Sequence, residues 1–266
     1  YAADDDVNKP AMVYGPQTRY AGQTTMPIET SQNHETTRRH QSLEIALVFL
    51  VFLVAAGDPP PDVNEPHYLC RAKHYWNPTW GAGDLFLESS EAHLVFVWCF
   101  GWITKWLSLP ATAWVGRVLV WLAMAWAWQR FCWRILPVAW CAPLAAALWV
   151  LLIEQGNLAG EWVVGGVEAK CFAYVFVLVA LGDLVQNRWN RVWTALGGAT
   201  AFHALVGGWS AIVCAGIFLV RKQRPPVTAM AGGLVVGGLL ALAGILPALN
   251  LSRDVPAVTI DEANRI

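Results

Sequence analysis

The chain has 266 residues, 56% of them hydrophobic and only 14% charged, with a mean hydropathy of +0.41. Soluble domains carry about 25% charged residues, so this composition excludes an ordinary water-soluble domain and names lipid as the solvent. A net charge of −1 supplies no field for nucleic acid, which is excluded as a partner.

Residues 1–42 are polar, rich in Thr, Gln, Asp and Pro and without apolar periodicity, and are expected to form a disordered cytoplasmic tail. A start at Tyr1, with Met26 as an alternative first residue, and an end in polar sequence read as the N-terminal fragment of a longer protein. Arg38-Arg39-His40 stands directly before an apolar run, and positive charge flanking a first span stays inside, so the N-terminus is placed in the cytoplasm. The uncharged run Ile45–Gly57 spans about 20 Å as a helix, short of the roughly 30 Å hydrocarbon core. The helix is therefore expected to begin nearer His40, with Glu44 among the headgroups. A cleaved signal peptide competes with this reading, but Asp58-Pro59-Pro60-Pro61 is a poor cleavage site and a membrane anchor is favoured.

A polar exoplasmic loop follows at 58–93, its entry stiffened by Pro59, Pro60 and Pro61. Apolar segments then recur at 92–109, 111–129, 135–153, 171–187, 192–220 and 228–249. Gly197-Gly198, His203 and Gly207-Gly208 divide the run 192–220 into two short helices meeting near His203, a break that membranes tolerate where it lines a cavity. Arg188 and Arg191, and then Arg221, Lys222 and Arg224, mark cytoplasmic turns, which puts His203, the loop 154–170 and the tail 251–266 outside. Arg130 and Arg134 mark a third such turn. The segment 92–109 then cannot cross fully and is either re-entrant or interfacial. The expected architecture is an all-α polytopic membrane protein, with one multispanning domain over 43–250. Sixteen tryptophans near segment ends suit the bilayer interface. Six cysteines without a CxxC pair read as small hydrophobes.

Chemistry is expected in the outer loops. Asp62-Val63-Asn64-Glu65-Pro66-His67-Tyr68 packs two carboxylates and a histidine into a few residues, and its Asn-Glu-Pro suits a turn into a helix with Glu65 in the first turn. The second loop carries Glu161, Glu168 and Lys170 around Gly165-Gly166, a pair that argues against a regular helix and for a close-approach loop. Carboxylates gathered on one face act as a general base or hold a divalent cation against a phosphate. Taken singly, the acids of the first loop are better read as solvated loop residues, and the combination is what favours function. For Glu161 and Glu168 the alternative is a cap-and-anchor role at the start of the next span, and function is favoured because the stretch is too polar and glycine-rich for a mere connector. Arg117 lies inside an apolar run, where a basic residue costs about 2.5–3.5 kcal/mol and therefore pairs or faces a cavity. Lipid-phosphate binding and structural pairing fit it equally. Lys105, near a segment end, is expected to snorkel. A histidine such as His203 is more often a packed polar residue than a ligand, though its glycine-lined setting keeps it a candidate. His67, His74 and His93 lack the i,i+4 spacing of a zinc helix, so no metal site is assigned.

The layout resembles the GT-C membrane glycosyltransferases, in the style of the protein O-mannosyltransferases and the lipid A aminoarabinose transferases. The resemblance rests on an N-in span, the element Asn64-Glu65-Pro66-His67-Tyr68, Arg117 after a Leu-Pro break, the acidic loop from Gly160-Glu161 to Glu168, the turn Arg188-Trp189-Asn190-Arg191, and the Gly-rich helix pair around His203. It covers roughly 43–250, the N-terminal half of such an enzyme. The stretches 64–68 and 160–170 are also similar to uncharacterised planctomycete-type bacterial membrane proteins. The family usually has Asp where Asn64 stands, a Pro-Pro entry into the next segment, an Asp in the second loop and a Lys near His203; this chain departs at each. The resemblance implies a GT-C-like helical bundle in the bacterial cytoplasmic membrane. It also implies a polyprenyl-phosphate sugar bound with its phosphate near Arg117 or Lys170. Glu65, or second to it Asp62, would deprotonate an exoplasmic acceptor, with inversion at the anomeric carbon. Glu161 or Glu168 would help hold a divalent metal or the acceptor, and His67, Tyr68 and His203 would contribute to substrate binding. A buried Glu65 would have its pKa raised towards that of a base. A transporter or flippase and a non-catalytic membrane scaffold are the alternative classes; the absence of a visible inverted repeat counts against the transporter.

Overall fold

A computed structural model describes residues 29–62, 64–156 and 163–251, with side chains from Arg39 onward except that of Glu154. Contacts divide the chain into residues 1–37 and 38–266, and the account below concerns the second unit. Every regular element among the described residues is helical: α1 (Glu29–Ala56), α2 (Glu65–Trp76), α3 (Leu85–Glu88), α4 (Leu94–Cys99), α5 (Leu109–Ile135), α6 (Cys141–Gly156), α7 (Ala169–Val185), α8 (Trp189–Phe202), α9 (Ala204–Val220) and α10 (Ala231–Asn250), with 3₁₀ turns at Gly101–Lys105 and Val227–Met230. Three helices are long and apolar enough to cross a membrane: Arg39–Ala56 within α1, Leu109–Ile135, and Val227–Asn250. Two shorter apolar helices, Cys141–Ile153 and Ala204–Val220, accompany them.

Local chemistry sets several of these boundaries. The α5 helix begins where Ser108 Oγ accepts from Ala111 N–H at 3.3 Å, with Pro110 in the first turn. It stops at Ile135 because Leu136 is driven extended before Pro137. Trp140, in the left-handed region at φ 68°, then delays the next helix to Cys141, six residues later than the apolar run suggested. The expected break at His203 is a helix cap: the residue is extended, and its Nδ1 accepts from Val206 N–H at 3.3 Å, starting α9. The segment 92–109 contains a six-residue helix and a five-residue 3₁₀ turn, too short to span, as its charge setting required. By contrast α1 starts at Glu29, inside the stretch expected to be a disordered tail, and the rest of that tail lies outside the described residues.

Long-range contacts fix which helix ends lie together. The carboxylate of Glu44, midway along α1, accepts from Gln129 Nε2 at 3.0 Å and from Trp133 Nε1, both late in α5, and from Trp140 N–H at 2.7 Å. The carbonyl of Asp58, just past α1, accepts from Arg117 near the start of α5. The two helices are therefore antiparallel. The α7 helix runs with α5, since Gly116 faces Val167 at one end and Arg134 pairs with Asp183 at 3.1 Å at the other. Likewise α10 runs with α8: Gly233 meets Asn190, Gly237 meets Trp193, and Gly244 meets Thr200. One end of the bundle consequently gathers Arg130, Arg134, Asp183, Arg188 and Arg191. The other gathers residues 58–62, Asn64, Glu65, residues 163–170 and His203. A core of Val48, Phe52, Trp121, Met124, Ala146 and Leu178 fills the space between α1, α5, α6 and α7, while outward residues such as Val54, Leu144, Val220 and Leu239 remain exposed and apolar.

Glu44 is buried within the protein, and three donors converge on it. Replacing it by alanine strands those donors in the core, and leaving buried donors unpaired costs about 1–3 kcal/mol. Thermal unfolding of Glu44→Ala in detergent is expected to show a clear loss of stability, with the Gln substitution intermediate.

Candidate functional site

The two acidic connectors, separated by about a hundred residues of sequence, dock on each other at the end of the bundle opposite Arg134. Gly166 N–H donates to Asp62 Oδ2 at 2.7 Å, and Val167 N–H donates to Glu65 Oε1 at 2.8 Å. Gly166 is required for this approach: a Cβ there would lie 2.4 Å from Glu65 Cγ and 3.0 Å from the Cβ of Asp62. Trp121 Nε1 donates to the Gly165 carbonyl at 3.2 Å and clamps the second connector from below. Residues 163–170 are buried throughout.

Glu65 stands at the first position of α2 and is 1% exposed. Arg117 donates to it twice, Nε to Oε1 at 2.6 Å and Nη2 to Oε2 at 2.7 Å, and Asp62 N–H donates to Oε2 at 2.9 Å. Burial by itself would raise the Glu65 carboxyl, but the Arg117 guanidinium and the two backbone N–H groups outweigh it and hold the pKa below its ordinary value. This corrects the expectation of a raised pKa. The glutamate is a fixed anion, poorly suited to take a proton. Arg117 is corrected as well. It is fully buried, its third nitrogen donates to the Asp58 carbonyl, and its guanidinium lies 5.2 Å from the Trp114 ring, so each of its nitrogens is engaged within the chain and none is exposed to a lipid phosphate. Of its two readings, structural pairing is the one realised.

Glu168 has the opposite character. It is 3% exposed, and burial pushes its carboxyl above the ordinary range, with Lys170 and the Asn64 side chain opposing only in part and Asp62 adding to the rise. Lys170 Nζ lies 3.2 Å from Glu168 Oε2, at ion-pair distance though without hydrogen-bond geometry. Lys170 is itself buried in the first turn of α7. Two carboxylates at one end of a bundle with pKa values driven apart is a pattern of acid–base sites, and also of structural ion-pair networks.

His203 faces this end, where its ring stacks on that of His93 with centroids 5.0 Å apart. Tyr68 joins them, 5.2 Å from His93 and 5.5 Å from Phe96. His67 lies at the edge of this group: it is exposed, edge-on to Phe86 at 4.4 Å, with its ring 6.0 Å from that of Tyr68. Glu161 lies outside the described residues. Among the described residues no group of three or more His, Cys, Asp or Glu could hold a metal ion. A small cavity of about 130 Å³, lined by Asp58, Asp62, Val164 and Gly165, opens beside the docked connectors. It shares Ala55 and Val150 with an apolar groove of about 720 Å³ between α1 and α6.

Comparison with protein-family models, with curated proteins and with solved structures finds no match for this chain. Its function must be argued from the geometry. In sequence, His93 was weighed only as a zinc ligand and Asn64 only as part of the turn before Glu65, and the Asp58 carbonyl was not singled out. The Gly165-Gly166 pair signalled a close approach but not its partner, and nothing local could signal His93, whose partner is far away in the chain.

Proposed function

We propose that this chain is the membrane part of a transferase that passes a sugar from a polyprenyl-phosphate donor to an acceptor at the outer face of a bacterial cytoplasmic membrane. The observation that carries the reading is the convergence of both acidic connectors on one end of the bundle, with Asp62 on a cavity that continues into an apolar groove. Charge favours that end as the outer one, because Arg130, Arg134, Arg188 and Arg191 collect at the other, as basic residues do on the cytoplasmic side.

In this mechanism the roles of the two leading acids exchange. Glu65 holds the first connector in place through Arg117, and Asp62, half-buried and lining the cavity, takes the proton of an acceptor hydroxyl. The alkoxide attacks the anomeric carbon with inversion and expels polyprenyl phosphate. Glu168, with its elevated pKa, is the second candidate for the proton, and Lys170 supplies positive charge near it. General-base removal costs about 10²–10⁴ in rate. Asp62→Asn is therefore expected to reduce sugar transfer from a polyprenyl-phosphate donor in vesicles by that order, with thermal stability close to wild type. Undiminished transfer by this variant would remove Asp62 from the role.

A second reading, a non-catalytic membrane scaffold, is favoured by the completeness of the Glu65–Arg117 clamp, every group of which is satisfied within the chain. The same vesicle assay separates the two, since a scaffold shows no transfer from any donor.

A further inference from the structure

His93 and His203 come from distant parts of the chain, one capping α4 and the other capping α9, yet their rings stack with centroids 5.0 Å apart and 26° between planes. Backbone partners hold them in opposite tautomers. His93 Nδ1 lies 3.3 Å from the Phe202 carbonyl and keeps its proton there, leaving Nε2 as an acceptor. His203 Nδ1 accepts from Val206 N–H at 3.3 Å, leaving its proton on Nε2. Both rings are half-buried and therefore reachable, and Lys170 adds a buried ammonium close enough to act on His203. Two imidazoles in face contact cannot readily both charge, because like charges a few ångströms apart outside bulk water repel by several kcal/mol (about 4 at an effective dielectric of 20), and the one carboxylate beside Lys170, that of Glu168, is already paired with it at 3.2 Å. An anion reverses that balance. It draws on Lys170 and on His203 Nε2–H, and it makes protonation of the neighbouring ring favourable.

We propose that His93 and His203, backed by Lys170, form a phosphate-binding pair that takes up a proton when the phosphate docks. The ligand class is a phosphate monoester, whose second ionisation near pH 6 matches that of imidazole and leaves it able to share the proton. No third ligand for a metal accompanies the pair among the described residues. The charged and titratable groups facing His93 are Glu91, Arg71, His67, Tyr68 and His203, and those facing His203 are His93 and Lys170, the latter paired with Glu168. Burial, then His93 and Lys170, hold His203 down to about 4, and burial likewise holds His93 below its ordinary value, so both rings are neutral at pH 7 before ligand arrives. The inference deepens the transferase reading and rests on it for the source of the phosphate, a lipid-linked one; the binding step itself requires no transfer.

Calorimetric titration of the full chain in nanodiscs with dodecyl phosphate at pH 7.5, repeated in buffers of different ionisation enthalpy, counts the protons. Uptake of up to about one proton per ligand is expected. It should be lost in His93→Gln and His203→Gln, with affinity falling on the order of tenfold, the share of one charge-assisted contact. Histidine ¹⁵N shifts of the unaltered protein give the same answer without relying on variants: two ring signals should move towards the imidazolium position on adding dodecyl phosphate. A parallel titration with inorganic phosphate separates the sources. Comparable binding with the same uptake identifies free phosphate as sufficient, and binding of dodecyl phosphate alone identifies a lipid phosphate. Heats independent of buffer together with unmoved histidine signals overturn the proposal, as does full uptake in the double variant. A failed sugar-transfer assay with proton-linked binding intact would sink the transferase reading and leave this site standing.

Discussion

Replacing Arg117 by alanine is expected to destabilise the protein by about 3–5 kcal/mol, the cost of breaking a buried ion pair by removing one partner. The geometry puts this pair at the severe end. Glu65 is 1% exposed and Arg117 is fully buried, with Arg117 spanning α2, α5 and the carbonyl of Asp58 after α1. Glu65→Gln strands the guanidinium in the same way and is expected to lose comparable stability. Lysine at 117 should not rescue, since a single ammonium cannot reproduce the forked contact. Replacing both partners by apolar residues of similar volume is expected to recover much of the loss, because desolvating the pair offsets much of its attraction. A pH titration of stability gives a further check. With the folded pKa of Glu65 depressed, its contribution is fully present above the unfolded value near 4.5 and is lost as pH falls from there through the folded value. Wild-type stability should therefore decline in that acid window more steeply than that of Glu65→Gln. Thermal or denaturant unfolding in detergent measures each of these, and equal stability of Arg117→Ala and wild type would show the clamp to be dispensable.

The second large effect is expected at Gly197, where α8 and α10 touch backbone to backbone. A Cβ at this position would lie 2.2 Å from the Gly237 carbonyl oxygen, and one at Gly237 would lie 2.2 Å from the Trp193 carbonyl oxygen. Backbone atoms cannot step aside as a flexible side chain can. Small residues at such crossings let helices approach closely where lipid, as apolar as leucine, provides no drive for association. Overpacking costs about 1–3 kcal/mol and more when the backbone must move. Gly197→Leu should separate α8 from α10, carry the His203 cap away from His93, and abolish recovery of folded, monodisperse protein after extraction. Gly208→Ala, where a Cβ meets nothing within 4 Å, is the matched control and should behave as wild type.

The helical, apolar character of the chain was written in its composition, and the ends of its helices in its charges. Arg38-Arg39, Arg130/Arg134 and Arg188/Arg191 implied a common side, and the contacts of Glu44, Gln129, Arg134 and Asp183 put the helix ends carrying them together. The break at His203 was legible because glycines and a polar residue interrupt an apolar run. Local signals of this kind depend on neighbours in sequence and on burial from water, both of which a linear pattern carries.

Partnership was not legible. Asp62 and Glu65 looked alike as two acids in one motif, yet Arg117, from another helix, makes Glu65 a fixed anion while Asp62 remains on a cavity. Glu168 and Glu65 are both buried glutamates, and only the surrounding donors decide that one pKa rises and the other falls. His93 was invisible as a site residue because what gives it meaning, the ring of His203, arrives from a different helix pair. A side chain's charge state and reach are set by whatever lies within a few ångströms of it. In a bundle of antiparallel and parallel helices, those neighbours come from segments whose spacing along the chain holds no trace of the contact.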